Sequence, residues 1–181
     1  MASGSLPPGV PADFYARVAG LAREHKSRFV LDTSGTALAG AGNGIFLLKT
    51  SLSELAELTG STIRTEDDQE RAARNVVAQG RTEFLVLSLG APGALLATGQ
   101  EIRRFQAAPV PAMSSAGVGD SMVAGIVLSL ARGWKLADAV RFGLAAGAAA
   151  LLRPGTELCR REDAEWLYRA MPGKVGSFML R

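Results

Sequence analysis

The chain has 181 residues, 48% of them hydrophobic and 20% charged, which suits one globular domain with its own core and excludes a disordered chain. Its formal net charge is only +3, and the basic residues are scattered, with pairs such as Arg103–Arg104 and Arg160–Arg161 the longest runs, so a nucleic-acid partner is not expected and small anions are. One cysteine (Cys159) and one histidine (His25) exclude an intrachain disulfide and a His/Cys zinc cluster, and leave little for Cys–His or Ser–His–Asp catalysis.

MASGSLPPG lacks the charged and apolar regions of a signal peptide. The most apolar segments, Met122–Ala131 and Phe142–Leu152, fall short of the roughly 20 residues that span a bilayer. A soluble protein of the reducing cytoplasm is expected, with no membrane partner.

In chain order, Ser3–Gly9 is a loop dense in Gly and Pro, and the strand that would feed it is expected to lie ahead of Met1. An amphipathic helix runs from Pro11 to about His25 with Phe14, Val18 and Leu21 on one face; His25, among charged neighbours, is its solvated end. Phe29–Asp32 is a short buried strand ending in a carboxylate. A short helix near Ala37–Ala41 and the turn Gly42–Gly44 lead to the strand Ile45–Leu48, which Lys49 ends. Ser51–Glu54 matches a capping box, S-x-x-E, opening a helix through Leu58. After the polar loop Thr62–Asp68, Asp67 or Asp68 caps a helix to about Gln79. Phe84–Leu89 is a strand, Gly90–Gly93 a tight turn, and Ala94–Thr98 with Glu101–Gln106 a hairpin around Gly99. Helices follow over about Asp120–Arg132, Leu136–Leu152 and Glu162–Met171, and the tail after Gly173 is expected to be loose.

Strands alternating with helices predict an α/β fold with a mostly parallel sheet and helices on both faces. Ligands of such sheets bind beyond the carboxyl ends of the strands, where Asp32, Lys49, Ser88 and the loop Ser3–Ser5 are expected. The stretch Ser114–Gly133 carries the strongest signal. Gly117 and Gly119 precede Asp120, and Met122, Val123, Ile126, Val127 and Leu130 follow at helical spacing. A glycine turn opening a helix offers unpartnered N–H groups and the positive end of the dipole, which suits an anion, with a carboxylate beside it as a base. Plain capping by Asp120 explains the same residues equally well. No Walker A pattern is present.

Several stretches together resemble the PfkB (ribokinase-like) family of sugar kinases, closest to its branch of minor, type 2 bacterial 6-phosphofructokinases. AGVGDSMVAG (Ala116–Gly125) is similar to the family's C-terminal signature, SGSLPPGVP (Ser3–Pro11) to its acceptor-side loop and SLGAPGALL (Ser88–Leu96) to its nucleotide-binding turn. VRFGLAAGAAALL and GTELC resemble segments that close the nucleotide pocket. The resemblance covers residues 1–172 as a nucleotide-binding and catalytic part, with 173–181 as the tail.

The resemblance implies ATP-dependent phosphorylation of a sugar phosphate, fructose 6-phosphate first, with a fructose-1-phosphate or tagatose-6-phosphate kinase, or a non-catalytic nucleotide-binding remnant, as alternatives. It implies Asp120 as the base and the N–H groups of Gly117, Val118 and Gly119 as the hole for the migrating phosphoryl group. It sets Ser3 and Gly4 on the sugar phosphate, Lys49, Ser88, Gly90 and Gly93 along ATP, and Glu54 with Ser51 at magnesium. Ser51 departs from the family, which usually has an asparagine there. Arg153 departs too, standing in a loop that often holds a monovalent cation, where an uncharged residue is usual, so the resemblance carries ATP and Mg2+ and leaves potassium dependence open. The family's N-terminal half and β lid, which mediates homodimers, have no counterpart in these residues.

Overall fold

The computed structural model describes residues 1–171. Contacts divide the chain into two compact units: Met1–Leu89 with Leu95–Arg104, and Gly90–Ala94 with the chain from Phe105. The expected loose tail, 173–181, lies outside the described residues.

The first unit is built on a six-stranded sheet in the order β1 (Ala2–Ser3), β2 (Val30–Asp32), β3 (Ile45–Ser51), β4 (Thr82–Ser88), β5 (Ala94–Ala97) and β6 (Ile102–Phe105). The first four run parallel. β5 and β6 are joined by a short turn in which the Thr98 N–H donates to the Glu101 carbonyl at 2.9 Å, the expected hairpin. Parallel strands covered on both faces read as near-continuous apolar runs, and β3 and β4 do. Leu31, Leu48, Leu85, Leu87 and Leu95 join one core with Tyr15 and Ala19 of α1 (Phe14–Glu24), Leu38 of α2 (Gly35–Ala39), Leu55 of α3 (Leu52–Thr59) and Ala73 and Val76 of α4 (Glu66–Ala78). On the other face of the same strands Val30, Leu47, Val86 and Leu96 are buried as well.

Five expectations are corrected. The first loop is fed by strand residues within the chain, Ala2–Ser3, which pair with Leu31 and Asp32. Lys49 does not end β3, which continues through Ser51 because its pairing with β4 extends to Ser51–Ser88. The cap of α4 is neither Asp67 nor Asp68 but Thr65, whose hydroxyl accepts the Asp68 N–H while the Asp68 carboxylate accepts the Thr65 N–H. The first helix starts at Phe14 rather than Pro11, and the second spans Gly35–Ala39 rather than Ala37–Ala41. The capping box of α3 forms as expected, with both of its bonds present.

The second unit is helical: α5 (Val118–Ala131), α6 (Leu136–Leu151) and α7 (Arg161–Ala170). α6 is buried almost all round, as its run of alanines and glycines allows. α5 and α6 meet backbone to backbone through small residues. A Cβ on Gly143 would lie 2.5 Å from Ile126 Cγ1 and 2.7 Å from the Met122 carbonyl, and one on Gly125 3.0 Å from Ala146 Cβ. Trp134, Phe142 and Tyr168 stack edge to face beside α7, with the buried Arg141 guanidinium 5.0 Å from the Tyr168 ring.

Candidate active site

Register in the first unit brings the polar ends of four parallel strands to one edge of the sheet. Ser3 pairs with Asp32, Asp32 with Lys49, and Ser51 with Ser88. This is the carboxyl edge, where open α/β sheets take their ligands. The loop after β1 is pinned there. The Gly4 N–H donates to the Asp32 carbonyl at 2.9 Å, and the Gly4 carbonyl accepts from Tyr15 Oη at 3.0 Å and Thr33 Oγ1 at 2.8 Å. Gly4 has φ of +97°, open to glycine and strained for a side chain. Tyr15 and Thr33, which sequence reasoning passed over, thus hold the backbone on which Ser3 sits.

Lys49 and Asp32 are both buried, and Lys49 Nζ lies 3.1 Å from each carboxylate oxygen. The two charges neutralise each other away from bulk water, and the pair takes up two of the three ammonium donors, leaving one for a ligand. Ser51 and Glu54 hold each other. Glu54 Oε2 accepts the Ser51 N–H at 2.7 Å, and Ser51 Oγ accepts the Glu54 N–H at 3.3 Å. Ser88 Oγ donates to the Thr50 carbonyl at 3.2 Å, tying β4 to β3 at the same edge.

Magnesium commonly uses one or two carboxylates together with substrate phosphates and its own waters. Among the described residues no group of three or more His, Cys, Asp or Glu could hold a metal alone. Glu54 fits the lesser demand, because only its Oε2 is engaged in the box. Ser51 fits less well, since its hydroxyl is engaged by Glu54 and by Ser53.

In the second unit, Gly90 and Gly93 close their turn with an N–H to carbonyl bond of 2.9 Å. Gly93 has φ of +110°, and a Cβ there would lie 1.9 Å from the Phe105 carbonyl, so only glycine fits. Gly117 is the N-cap of α5 in the left-handed region, φ +72°, and has no side chain with which to close the helix end. Its carbonyl accepts the Ser121 N–H at 2.9 Å, so Val118, Gly119 and Asp120 form the first turn, whose N–H groups carry no side-chain cap. Asp120 is exposed in that turn. A carboxylate three residues into a glycine-capped helix has water access and sits at the positive end of the dipole. Such a group accepts a proton from a hydroxyl held next to an anion.

The expected site residues therefore fall into two sets. Ser3, Gly4, Lys49, Ser51, Glu54 and Ser88 gather at one sheet edge of the first unit. Gly90 and Gly93, and Gly117 to Asp120, form two glycine turns of the second.

The pfkB family carbohydrate kinase profile matches residues 1–163. The chain is 50% identical over 178 residues to the ATP-dependent 6-phosphofructokinase isozyme 2 of Mycobacterium tuberculosis, covering 97% of this chain and 52% of that protein. It is 34% identical over 163 residues to the 1-phosphofructokinase of Haloferax volcanii, covering 90% of this chain and 52% of the relative. The crystal structure of phosphofructokinase-2 from Escherichia coli in complex with potassium superposes with a TM-score of 0.87 at 38% identity, over 93% of this chain and 55% of that one. The chain thus spans about half the length of the relatives it matches. With the glycine turns, the parallel sheet and the matched profile in agreement, the chain belongs to the pfkB family of carbohydrate kinases.

Proposed function

We propose that this chain supplies the nucleotide-side and base residues for ATP-dependent phosphorylation of a sugar phosphate, fructose 6-phosphate to fructose 1,6-bisphosphate. The observation that carries this reading is Asp120, exposed in the first turn of a helix whose cap is a left-handed glycine. Binding a nucleotide does not call for that carboxylate; activating a hydroxyl does. Relatives named 6-phosphofructokinase and 1-phosphofructokinase support a phosphorylated sugar as acceptor.

Asp120 takes the proton of the acceptor hydroxyl as its oxygen forms the new bond to the γ-phosphorus. The bond from that phosphorus to the bridging oxygen breaks, and ADP leaves with the electron pair. N–H groups of Gly117, Val118 and Gly119 face the charge on the moving phosphoryl group, and such fixed donors act without reorganising. Lys49, Ser88, Gly90 and Gly93 contact ATP, and Ser3 and Gly4 the sugar phosphate. Glu54 would help hold magnesium, which when bound would neutralise phosphate charge. Residues 1–172 are assigned to this nucleotide-binding and catalytic part.

Asp120→Asn keeps the shape and removes the base. With these residues restored to a complete kinase, sugar-dependent ADP release is expected to fall by about 100-fold or more, within the ~10²–10⁴ a general base contributes, while ATP affinity changes little. An Asn variant as active as the parent overturns the kinase reading. Fructose 1-phosphate and tagatose 6-phosphate in the same assay identify the acceptor.

A further inference from the structure

Two buried hydroxyls of the first unit converge on one backbone carbonyl. Tyr15 Oη, in the first turn of α1, donates to the Gly4 carbonyl at 3.0 Å, and Thr33 Oγ1, just past the end of β2, donates to it at 2.8 Å. Tyr15 is 5% and Thr33 3% exposed, so water is no ready substitute partner for either hydroxyl. A carbonyl has two lone pairs, and here both are used. The Gly4 N–H is fixed as well, donating to the Asp32 carbonyl at 2.9 Å. Phe14 lies edge-on to the Tyr15 ring, centroids 5.6 Å apart, and braces it.

The peptide so restrained is one that would otherwise turn freely. Gly4 has φ of +97°, and nothing lies within 4 Å of where its Cβ would stand, so no side-chain packing fixes the plane of the Gly4–Ser5 peptide. Turned over, that peptide would leave two buried hydroxyls without their acceptor. The peptide is trans, so its N–H points opposite to its carbonyl. With the carbonyl drawn inward to Tyr15 and Thr33, the Ser5 N–H faces outward, on a loop whose Ser3, Gly4 and Ser5 are all exposed.

We propose that Tyr15 is a positioning residue for the acceptor: with Thr33 it locks the Gly4–Ser5 peptide carbonyl-inward, so that the loop turns its N–H side to the phosphate group of the sugar. This role rests on the kinase reading above, in which the loop contacts the sugar phosphate. Its mark is selective, because the lock bears on the sugar and not on the nucleotide. Tyr15→Phe keeps the ring and its packing and removes one donor. Thr33→Val removes the other at nearly constant shape, and Thr33→Ser keeps it. Leu21, 55% exposed on the same helix, provides the control.

The experiment measures hydrogen exchange at the Gly4 amide in this chain. With these residues restored to a complete kinase, it measures kcat and KM for fructose 6-phosphate and for MgATP. In Tyr15→Phe, Gly4 exchange and the KM for fructose 6-phosphate should each rise about tenfold, the scale of one lost hydrogen bond. The KM for MgATP and kcat should stay within about twofold, since the loss falls on sugar binding alone. Thr33→Val should behave as Tyr15→Phe does, and Thr33→Ser and Leu21→Ala should match the parent. Gly4 exchange in Tyr15→Phe equal to the parent overturns the lock whatever the kinetics. A loosened Gly4 with an unchanged KM for fructose 6-phosphate, or with both KM values raised alike, overturns its purpose. Should Thr33→Val fail to fold, Tyr15→Phe carries the comparison. Asp120→Asn separates the two readings. If it abolishes turnover while Tyr15→Phe leaves the sugar KM unchanged, the acceptor role alone falls. If it leaves turnover intact, the kinase reading falls and takes that role with it.

Discussion

Asp32 and Lys49 show how much one residue's role depends on its partner. Each is buried, and each is tolerated because the other stands 3.1 Å away. Removing one partner strands a charge in a medium that solvates it poorly, a loss of about 3–5 kcal/mol, whereas replacing both with apolar groups is often neutral. Lys49→Met should therefore lower the urea midpoint sharply, and Asp32→Leu with Lys49→Met should recover most of the loss. If the double variant is as unstable as the single, the pair is not the source of the effect. A nucleotide titration of the same proteins separates stability from binding: Lys49→Met and the double variant should both bind ATP more weakly, since both lack the remaining ammonium donor.

At the scale of the element, two features set how firmly helices present their ends. The α4 box joins Thr65 and Asp68, and Arg71 adds an ion pair to the same carboxylate. The N–H groups of Arg64 and Thr65, with the Thr65 hydroxyl, hold the Asp68 carboxyl down to about 2 from its ordinary 3.8. A depressed carboxyl stabilises the fold fully above its unfolded value, and the contribution is lost as pH falls through the folded one. Acid unfolding should therefore steepen between pH 3.8 and about 2 in the parent and flatten over that window in Asp68→Asn. Thr65→Ala should cost about 1 kcal/mol, the usual value of a cap. The second feature is the α5–α6 contact. Gly143→Ala puts a methyl group 2.7 Å from a backbone carbonyl that cannot swing aside. Such overpacking costs typically about 1–3 kcal/mol. Chemical denaturation checks the size, and exchange at residues 117–120 shows whether the disturbance travels along α5 to its first turn.

At the scale of the molecule, no helix among the described residues is long and apolar enough to cross a membrane. The acceptor is the larger question. Phosphoryl transfer depends on holding the hydroxyl against the γ-phosphate, and good alignment supplies about 7–11 kcal/mol of the barrier. In the function proposed above, these residues offer the sugar the pinned Ser3–Gly4 loop. The matched relatives have nearly as much chain again outside the aligned part. Residues 1–181 assayed alone should bind MgATP and release ADP far below the ordinary enzyme rate of about 10 per second. A fructose-6-phosphate-dependent rate of that order would show that the acceptor needs no more than this loop.

What the sequence determined by itself are the features decided between near neighbours in the chain. The apolar runs of β3 and β4 and the S-x-x-E box of α3 were legible because each is closed within a few residues. So was the glycine–aspartate turn of α5, because positive φ, the N–H groups of a helix's first turn and the helix dipole are local properties of Gly117–Asp120. The cap of α4 was just as local, but T-x-x-D yields to S-x-x-E as a signal, and the acids at Asp67 and Asp68 drew attention from Thr65. Only tertiary structure decided the rest. Lys49 meets Asp32 because parallel pairing sets two strands seventeen residues apart in register, and no local pattern records which strands will be neighbours. Ala2–Ser3 is a strand only because β2 offers it a ladder, two residues being too few to show any period. Ser114 meets Gly155 across the full length of two packed helices, which a stripe of glycines brings close enough for one hydroxyl to span. Local chemistry chose the residues of the candidate site; long-range packing decided which of them hold one another in place.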